Sequence, residues 1–478
     1  MPILPTEVAN DNNDVIESAL DKAQKALRRA VDASLPAAAS FAQREAATLR
    51  LGNEVMRLLL RRDLQQIVVS QGCGRLRVDG RTYAPHLEGT VTYHSLVGGL
   101  PIERASYREV GVRNGPTLVP LELAAGLMER ATPALAHRVL LGHGAGHSRR
   151  LSQELDASFR QAPSRATLEK LGKRLGGELA EQAVEIEAVI REQERLPMGT
   201  ATIAIGFDRT SGPMREVLPG ASRPEPTPKH RRRRPVPYTV NYRMAYVGTV
   251  SFVDSSHRVL RTVRYGAPAA DGPDELLARM MSDVRRAREQ RRNLRVIVIQ
   301  DGAKEMWNLT TKALKSEPSI RTHHEVIDHY HAIEHLAEIA AAMDVDTSVK
   351  LEEWKRMLRE DDDAIDAIRD EVAAEAAEPY VPHRRFTLEQ GLGYLDNNHE
   401  RLHYAKLRDS RMPIGSGPTE GACKSLVTLR CKRSGQCWST SGMRAALAPR
   451  MQILNNRLPA AVDLLRSRCY TAVVNRAA

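Results

Sequence analysis

LRVIVIQD, Leu294 to Asp301, is a nearly unbroken apolar run, mostly β-branched, that stops at a carboxylate. A run of this length and composition reads as a strand buried on both faces of a sheet. It is preceded by PDELLARMMSDVRRAREQRRN (273–293), whose apolar residues recur at helical spacing, and followed by the helical AKEMWNLTTKALK (303–315). Beyond these, THHEVID (322–328) reads as a further strand and HYHAIEHLAEIAAAM (329–343) as a helix. Upstream, TATIAIGFD (200–208) repeats the signature of a short apolar strand ending in an acid. NYRMAYVGTVSFVD (241–254) and HRVLRTVRYG (257–266) read as two paired strands joined by a tight turn. Three strands, then helix and strand in alternation, predict a mixed five-stranded sheet with flanking helices, an α/β unit within a multidomain α+β chain.

At 478 residues the chain exceeds one ordinary domain. Composition divides it into a helical region (1–66), a small β-rich module (67–120), a helical region (121–195), the α/β unit (196–343), an all-helical insertion (344–412) and a return to the α/β unit with C-terminal helices (413–478). The acidic stretch EDDDAIDAIRDEVAAEAAE (360–378) in the insertion reads as a solvated helix. Within the second helical region, LSQELDASFRQAPSRATLEKLGKRLG (151–176) has the outline of a helix-turn-helix. The first helix is expected to end near Gln161, Pro163 breaks the pattern, and Ser164 caps a second helix carrying Arg165, Lys170, Lys173 and Arg174. An ordinary helical hairpin has the same pattern.

Lys and Arg number 70 against 59 Asp and Glu, a net charge of +11, which permits a polyanionic partner without requiring one. Five cysteines in a chain this long form no disulfide framework, and no CxxC pair offers a structural zinc site of the usual spacing. No signal peptide and no apolar run approaching the ~18 residues of a membrane span is evident, so the expected location is cytoplasmic.

Asp208 and Asp301 each close an apolar strand, at the mouth of a sheet where active sites commonly lie. An Asp that begins a turn explains either alone; on neighbouring strands the two converge. Paired carboxylates suit hard cations such as Mg²⁺. Two such ions ~3.5–4 Å apart clamp the attacking and leaving oxygens of an in-line phosphoryl displacement, chemistry that needs a third acid. IGSGPTEGACKS (414–425) supplies one. Its glycines suggest a phosphate loop, but only three residues separate Gly417 from Gly421, and Ala422 and Cys423 intervene before Lys424, so the GxxxxGK[ST] spacing fails. Pro418 suits the first turn of a helix, and Glu420 near that end interacts favourably with the helix dipole.

Asp208, Asp301 and Glu420, in this strand order, resemble the acidic triad of DDE-type insertion-sequence transposases with a ribonuclease H-like fold. IGSGPTEGACKSLVTLRCKRSGQCW (414–438) resembles the glutamate segment of one bacterial group, and VIQDGAKEMWN (298–308) the segment around the second Asp. DHYH (328–331) matches an Asp-x-x-His signature of relatives, formed here by Asp328 and His331. The resemblance covers about 200–445. It implies a catalytic domain interrupted by the helical insertion and a triad holding two Mg²⁺ or Mn²⁺ ions. It also implies cleavage at transposon-end DNA with strand transfer into target DNA, by a homodimer or larger synaptic assembly associated with the nucleoid. Two features depart from the family: GFDRTSGPMRE is a looser match at the first Asp, and the N-terminal region has only Cys73 where many such transposases carry paired zinc-binding cysteines.

Basic residues fall where such a substrate needs them. Lys229, Arg231, Arg232, Arg233 and Arg234 lie between the first two strands, and Lys424, Arg430, Lys432 and Arg433 follow Glu420. Trp438 suits either stacking on an unpaired base or packing against the sheet. Two rival readings remain. His331, Glu334 and His335 have the HxxEH spacing of an inverted zinc peptidase, and a silent or domesticated DNA-binding derivative of a transposase would keep the triad as a vestige.

Overall fold

The computed structural model describes residues 10–72, 74–158, 161, 163–222, 236–343, 345–378, 382–467 and 473–476. The chain forms two compact units, Met1–Leu175 with Val462–Ala478, and Gly176–Ala461.

The first unit opens with helices Asn10–Ala33 and Phe41–Gln71. Ser40 and Gln43 form a reciprocal capping box at the second helix, in which the Ser40 hydroxyl accepts from Gln43 N and the Gln43 side chain accepts from Ser40 N. That helix runs to Gln71, into the range expected to be β. Four antiparallel strands follow: β1 (Leu76–Val78), β2 (Arg81–Ser95), β3 (Gly98–Glu109) and β4 (Thr117–Leu118). The C-terminal strand Val473–Arg476 pairs with β1, so the tail from Val462 belongs to this unit and not to the second, as its sequence position had suggested. The helix-turn-helix outline is present as Ser148–Ala157 and Arg165–Glu181. The break comes at Ala157, earlier than Gln161, and Ser164 Oγ accepts from Thr167 N at 3.3 Å as expected of a cap.

The second unit is built on the expected mixed sheet. Its strands are β5 (Thr200–Val217), β6 (Tyr238–Asp254), β7 (Val259–Ala267), β8 (Arg295–Gln300) and β9 (His324–Ile327), in spatial order β7-β6-β5-β8-β9. β5, β6 and β7 form an antiparallel meander, while β8 lies parallel to β5 and β9 parallel to β8. Helices Asp274–Gln290 and Lys304–Lys315 bury Leu276, Met280, Val284, Met306 and Leu314 in one core with Ile203, Ile205, Val296 and Val298. The second face is covered by Leu426, Val427, Met443 and Leu447, which pack with Met214 and Val247.

Two expectations are corrected here. The unit begins near Gly176 rather than 196, because Glu187 is buried in a two-point ion pair with Arg279 (2.6 and 2.9 Å) on the helix behind the sheet. β5 does not stop at Asp208. It continues to Val217, paired throughout with β6, and on its other edge the backbone of Trp438 bonds Pro213 and Arg215 where β8 has ended.

The insertion is all helical: Thr347–Glu360, Ala364–Ala377 and Pro382–Asn398. The acidic helix is not solvated all round. Ala364, Ile365, Ile368 and Val372 pack on buried Trp354, whose indole N–H donates to Glu371. Among the described residues no helix is long and apolar enough to cross a membrane.

Candidate active site

The β5–β8 ladder pairs Thr202 with Arg295 and Ile205 with Val298. The pairing ends there; the same offset carried three residues further points from Asp208 to Asp301, the first residue past β8, and the charge on Asp301 acts on Asp208. Asp208 sits within β5 rather than at its end and is half-buried. Its Oδ1 accepts from Arg209 N at 2.6 Å. Asp301 follows β8 directly. Its Oδ1 accepts from Ala303 N (3.1 Å) and its carbonyl from the Trp307 indole (2.9 Å), which fixes the turn into the next helix.

Glu420 reaches this place through two devices. The first is Asp328, at the end of β9. It is fully buried, takes the N–H groups of Tyr330 (2.8 Å) and His331 (3.0 Å) as the N-cap of helix His329–Ala342, and accepts from Ser416 N with its second oxygen. His329 N donates to Ile414 O nearby (3.1 Å). The IGSGP turn is thus pinned to the sheet, and Ser416 Oγ in turn donates to Glu420 Oε1 at 3.0 Å. The second device is Gly206. A Cβ there would lie 1.8 Å from Thr419 Oγ1, so the short helix Gly417–Ala422 approaches β5 as only glycine allows. Thr419 also hydrogen-bonds Thr249 on β6 (2.8 Å). A π-helical turn, Cys423–Thr428, continues the helix, buries Leu426 and Val427, and directs the Cys423 thiol to Asp208 Oδ2 at 3.4 Å.

Burial raises the Asp208 carboxyl above its ordinary range. The Arg209 N–H and the Cys423 thiol oppose this, and the charge on Asp301 adds to it. Burial and then Asp208 push the Cys423 thiol far up, so it stays protonated and donates. Partial burial opposes charging of His331, but Glu334, Asp328 and Asp301 together raise it. Among the described residues none of the three acids makes an ion pair with Lys or Arg; their donors are backbone N–H groups, a thiol and a hydroxyl. The three carboxylates do not close to within 4.8 Å of one another, the spacing at which three groups share one ion. Asp208 turns to Cys423 and Glu420 to Ser416, as like charges do when each has a local donor. An all-oxygen donor set on three anchored elements fits Mg²⁺ or Mn²⁺.

The other expected residues fall into three groups. Lys424 is exposed beside Glu420, and Lys432 Nζ donates to Thr210 Oγ1 (3.0 Å), two residues along β5 from Asp208. Arg433 donates back to Leu429 O in the helical turn before it. Arg430 is not a surface cation: it is buried over the Trp438 ring (4.8 Å), and burial lowers its pKa to about 10. Trp438 takes the packing role, with its indole donating to Cys431 O and its backbone on β5. Arg165, Lys170, Lys173 and Arg174 are exposed on the first unit, Lys173 paired with Glu169 and Arg174 with Glu129. Lys229 and Arg231 to Arg234 lie outside the described residues, as does Cys73. His331 and His335 do not converge. The first pairs with Glu334 (3.1 Å) and the second lies by Glu338 (3.7 Å) against Tyr394, so the peptidase arrangement is not formed.

Beside Asp301 opens a cavity of about 850 Å³ between the last insertion helix and the end of β8, lined by Gly302, Trp307, His335, Tyr394 and Arg401 among others. Tyr394 packs against Gly302, its hydroxyl is buried without a hydrogen-bond partner, and burial together with Asp301 and Asp328 raises its pKa. Sequence reasoning missed Ser416, Thr419, Cys423 and Tyr394. Only Gly206, a glycine inside an apolar strand, carried a visible signal of close approach.

Compared with known proteins, the chain matches no protein-family model and no curated sequence.

Proposed function

We propose that the chain is a DDE-type transposase with a ribonuclease H-like catalytic domain, acting on transposon-end and target DNA. The observation that carries the reading is the strand offset that points from Asp208 to Asp301 while Asp328 and Ser416 bring Glu420 to the same end of the sheet. The antiparallel meander with two parallel strands added beyond β5 supports it, since this is the sheet that the resemblance implies.

In this reading Asp208, Asp301 and Glu420 hold two Mg²⁺ or Mn²⁺ ions, which when bound activate the attacking oxygen and neutralise the leaving one. The protein's part is positional. β5 carries Asp208, the hydrogen-bonded turn directly after β8 carries Asp301, and the Asp328–Ser416 pin and the Thr419–Gly206 contact hold the third. Lys424 and Lys432 flank the acids and offer cations to DNA phosphates. Work on two DNA ends calls for a paired assembly. In a cleavage and strand-transfer assay on end DNA, the wild-type chain is expected to be active with Mg²⁺. Asp301→Ala and Glu420→Ala are each expected to lose at least about 10²–10³-fold, the usual cost of deleting one stabiliser of transition-state charge. Equal activity in all three proteins would sink the assignment.

A further inference from the structure

Away from the three carboxylates, His399, Glu400 and His403 each place one ligand atom within 4.8 Å of the other two, the only such set among the described residues. They lie just past the last insertion helix, in HERLH (399–403). We propose that they form a binding site for one zinc-class divalent ion, which closes the insertion onto itself.

The tautomers support this. His399 Nε2 faces Asp366 Oδ1 at 2.8 Å, and His403 Nδ1 faces the Asp362 carbonyl at 2.9 Å. Both acceptors lack a hydrogen, so each histidine donates there, and in the neutral ring the other nitrogen keeps a lone pair for an ion that displaces its proton. A carboxylate or carbonyl behind a ligating histidine is the usual outer support of a metal site. The nitrogens left over are Nδ1 of His399 and Nε2 of His403. His399 Nδ1 stands 3.6 Å from Glu400 Oε1. Zinc–ligand bonds of ~2.0–2.1 Å set tetrahedral ligands about 3.3–3.4 Å apart, so a small closure of this pair admits the ion. Two imidazoles and one carboxylate leave a fourth position for water, and the 92% exposure of the Glu400 side chain leaves a way in.

The support is rigid. Arg401, between the ligands, donates to Glu325 on β9 (2.7 Å) and lies over the Trp307 ring (4.4 Å), and Leu402 is buried. HExxH spacing on a regular helix is that of zinc peptidases, where the Glu stays off the metal as general base. Here the chain makes only a 3₁₀ turn, His399–Arg401, and leaves it at Leu402, so Glu400 joins the ligand set. The ion would tie the last insertion helix to Asp362 and Asp366 at the start of helix Ala364–Ala377, a structural role.

The test uses the full-length chain without a histidine tag, stripped with chelator and then given Zn²⁺ or Co²⁺. About one equivalent of zinc is expected to survive gel filtration, with the visible bands of tetrahedral cobalt in the Co²⁺ form and a higher melting temperature with zinc. His399→Gln with His403→Gln should abolish all three readouts, Asp366→Asn should weaken zinc about 10–100-fold, and Glu400→Gln, at an exposed position, should weaken it without unfolding the protein. Asp301→Ala and Glu420→Ala should keep the zinc, which separates this site from the proposed catalytic one. Zinc retention no greater in the wild type than in the double histidine variant would overturn the proposal.

Discussion

At Gly206 one methyl group decides where the third carboxylate sits. Its Cβ would lie 1.8 Å from Thr419 Oγ1 and 2.8 Å from Thr249 Oγ1, in a place with no slack. Gly206→Ala is expected to cost ~1–3 kcal/mol by overpacking, and Thr419→Ala in the same chain to restore at least half of it, as a double-mutant cycle by denaturant unfolding would read. Asp328 is the other single point on which the site hangs. Asp328→Ala removes a helix cap and strands the Ser416 N–H, an expected loss on the order of 2–4 kcal/mol in unfolding free energy. Tyr394 behaves in the opposite sense. Its buried hydroxyl has no partner, so Tyr394→Phe is expected to leave stability unchanged or raise it by up to about 1 kcal/mol, checked by thermal melting.

Among the elements, β9 joins the sheet to the insertion through Glu325. His323 and then Arg401, against some burial, bring its carboxyl down to about 2. A folded-state pKa below the unfolded value of ~4.3 gives stability that is present above ~4.3 and lost as pH falls towards 2. The stability gap between wild type and Glu325→Gln should therefore be full at pH 7, on the order of 2 kcal/mol, and shrink steadily between pH 4.5 and 2.5. β8 was legible in the sequence because four consecutive β-branched residues, Val296 to Ile299, just ahead of an acid have few other readings. The true length of β5 was not. RTSGPMREV (209–217) is rich in polar residues with a Gly and a Pro, and it is extended because β6 and the Trp438 backbone hold both of its edges. The helix start at Pro418 was legible, whereas the Ser416 pin was not, since its partner Asp328 stands 88 residues earlier.

For the whole molecule, the mixed five-stranded sheet followed from local patterns, while the allotment of segments to units did not. The tail joins the first unit through one short strand on β1, and Glu187 joins the second through a buried pairing with a distant helix, and no local pattern announces either. HERLH escaped notice for the same reason: its supports, Asp362, Asp366 and Glu325, come from other helices and another strand. The Asp328–Ser416 bond also sets an order of birth. A ribosome finishes all five strands of the sheet, and both aspartates, before it has made any of the insertion. A chain that stops between Asp328 and Ile414 therefore carries Asp208 and Asp301 but neither Glu420 nor the Ser416 that holds it. Under the proposed function, the capacity to cut would therefore arrive last.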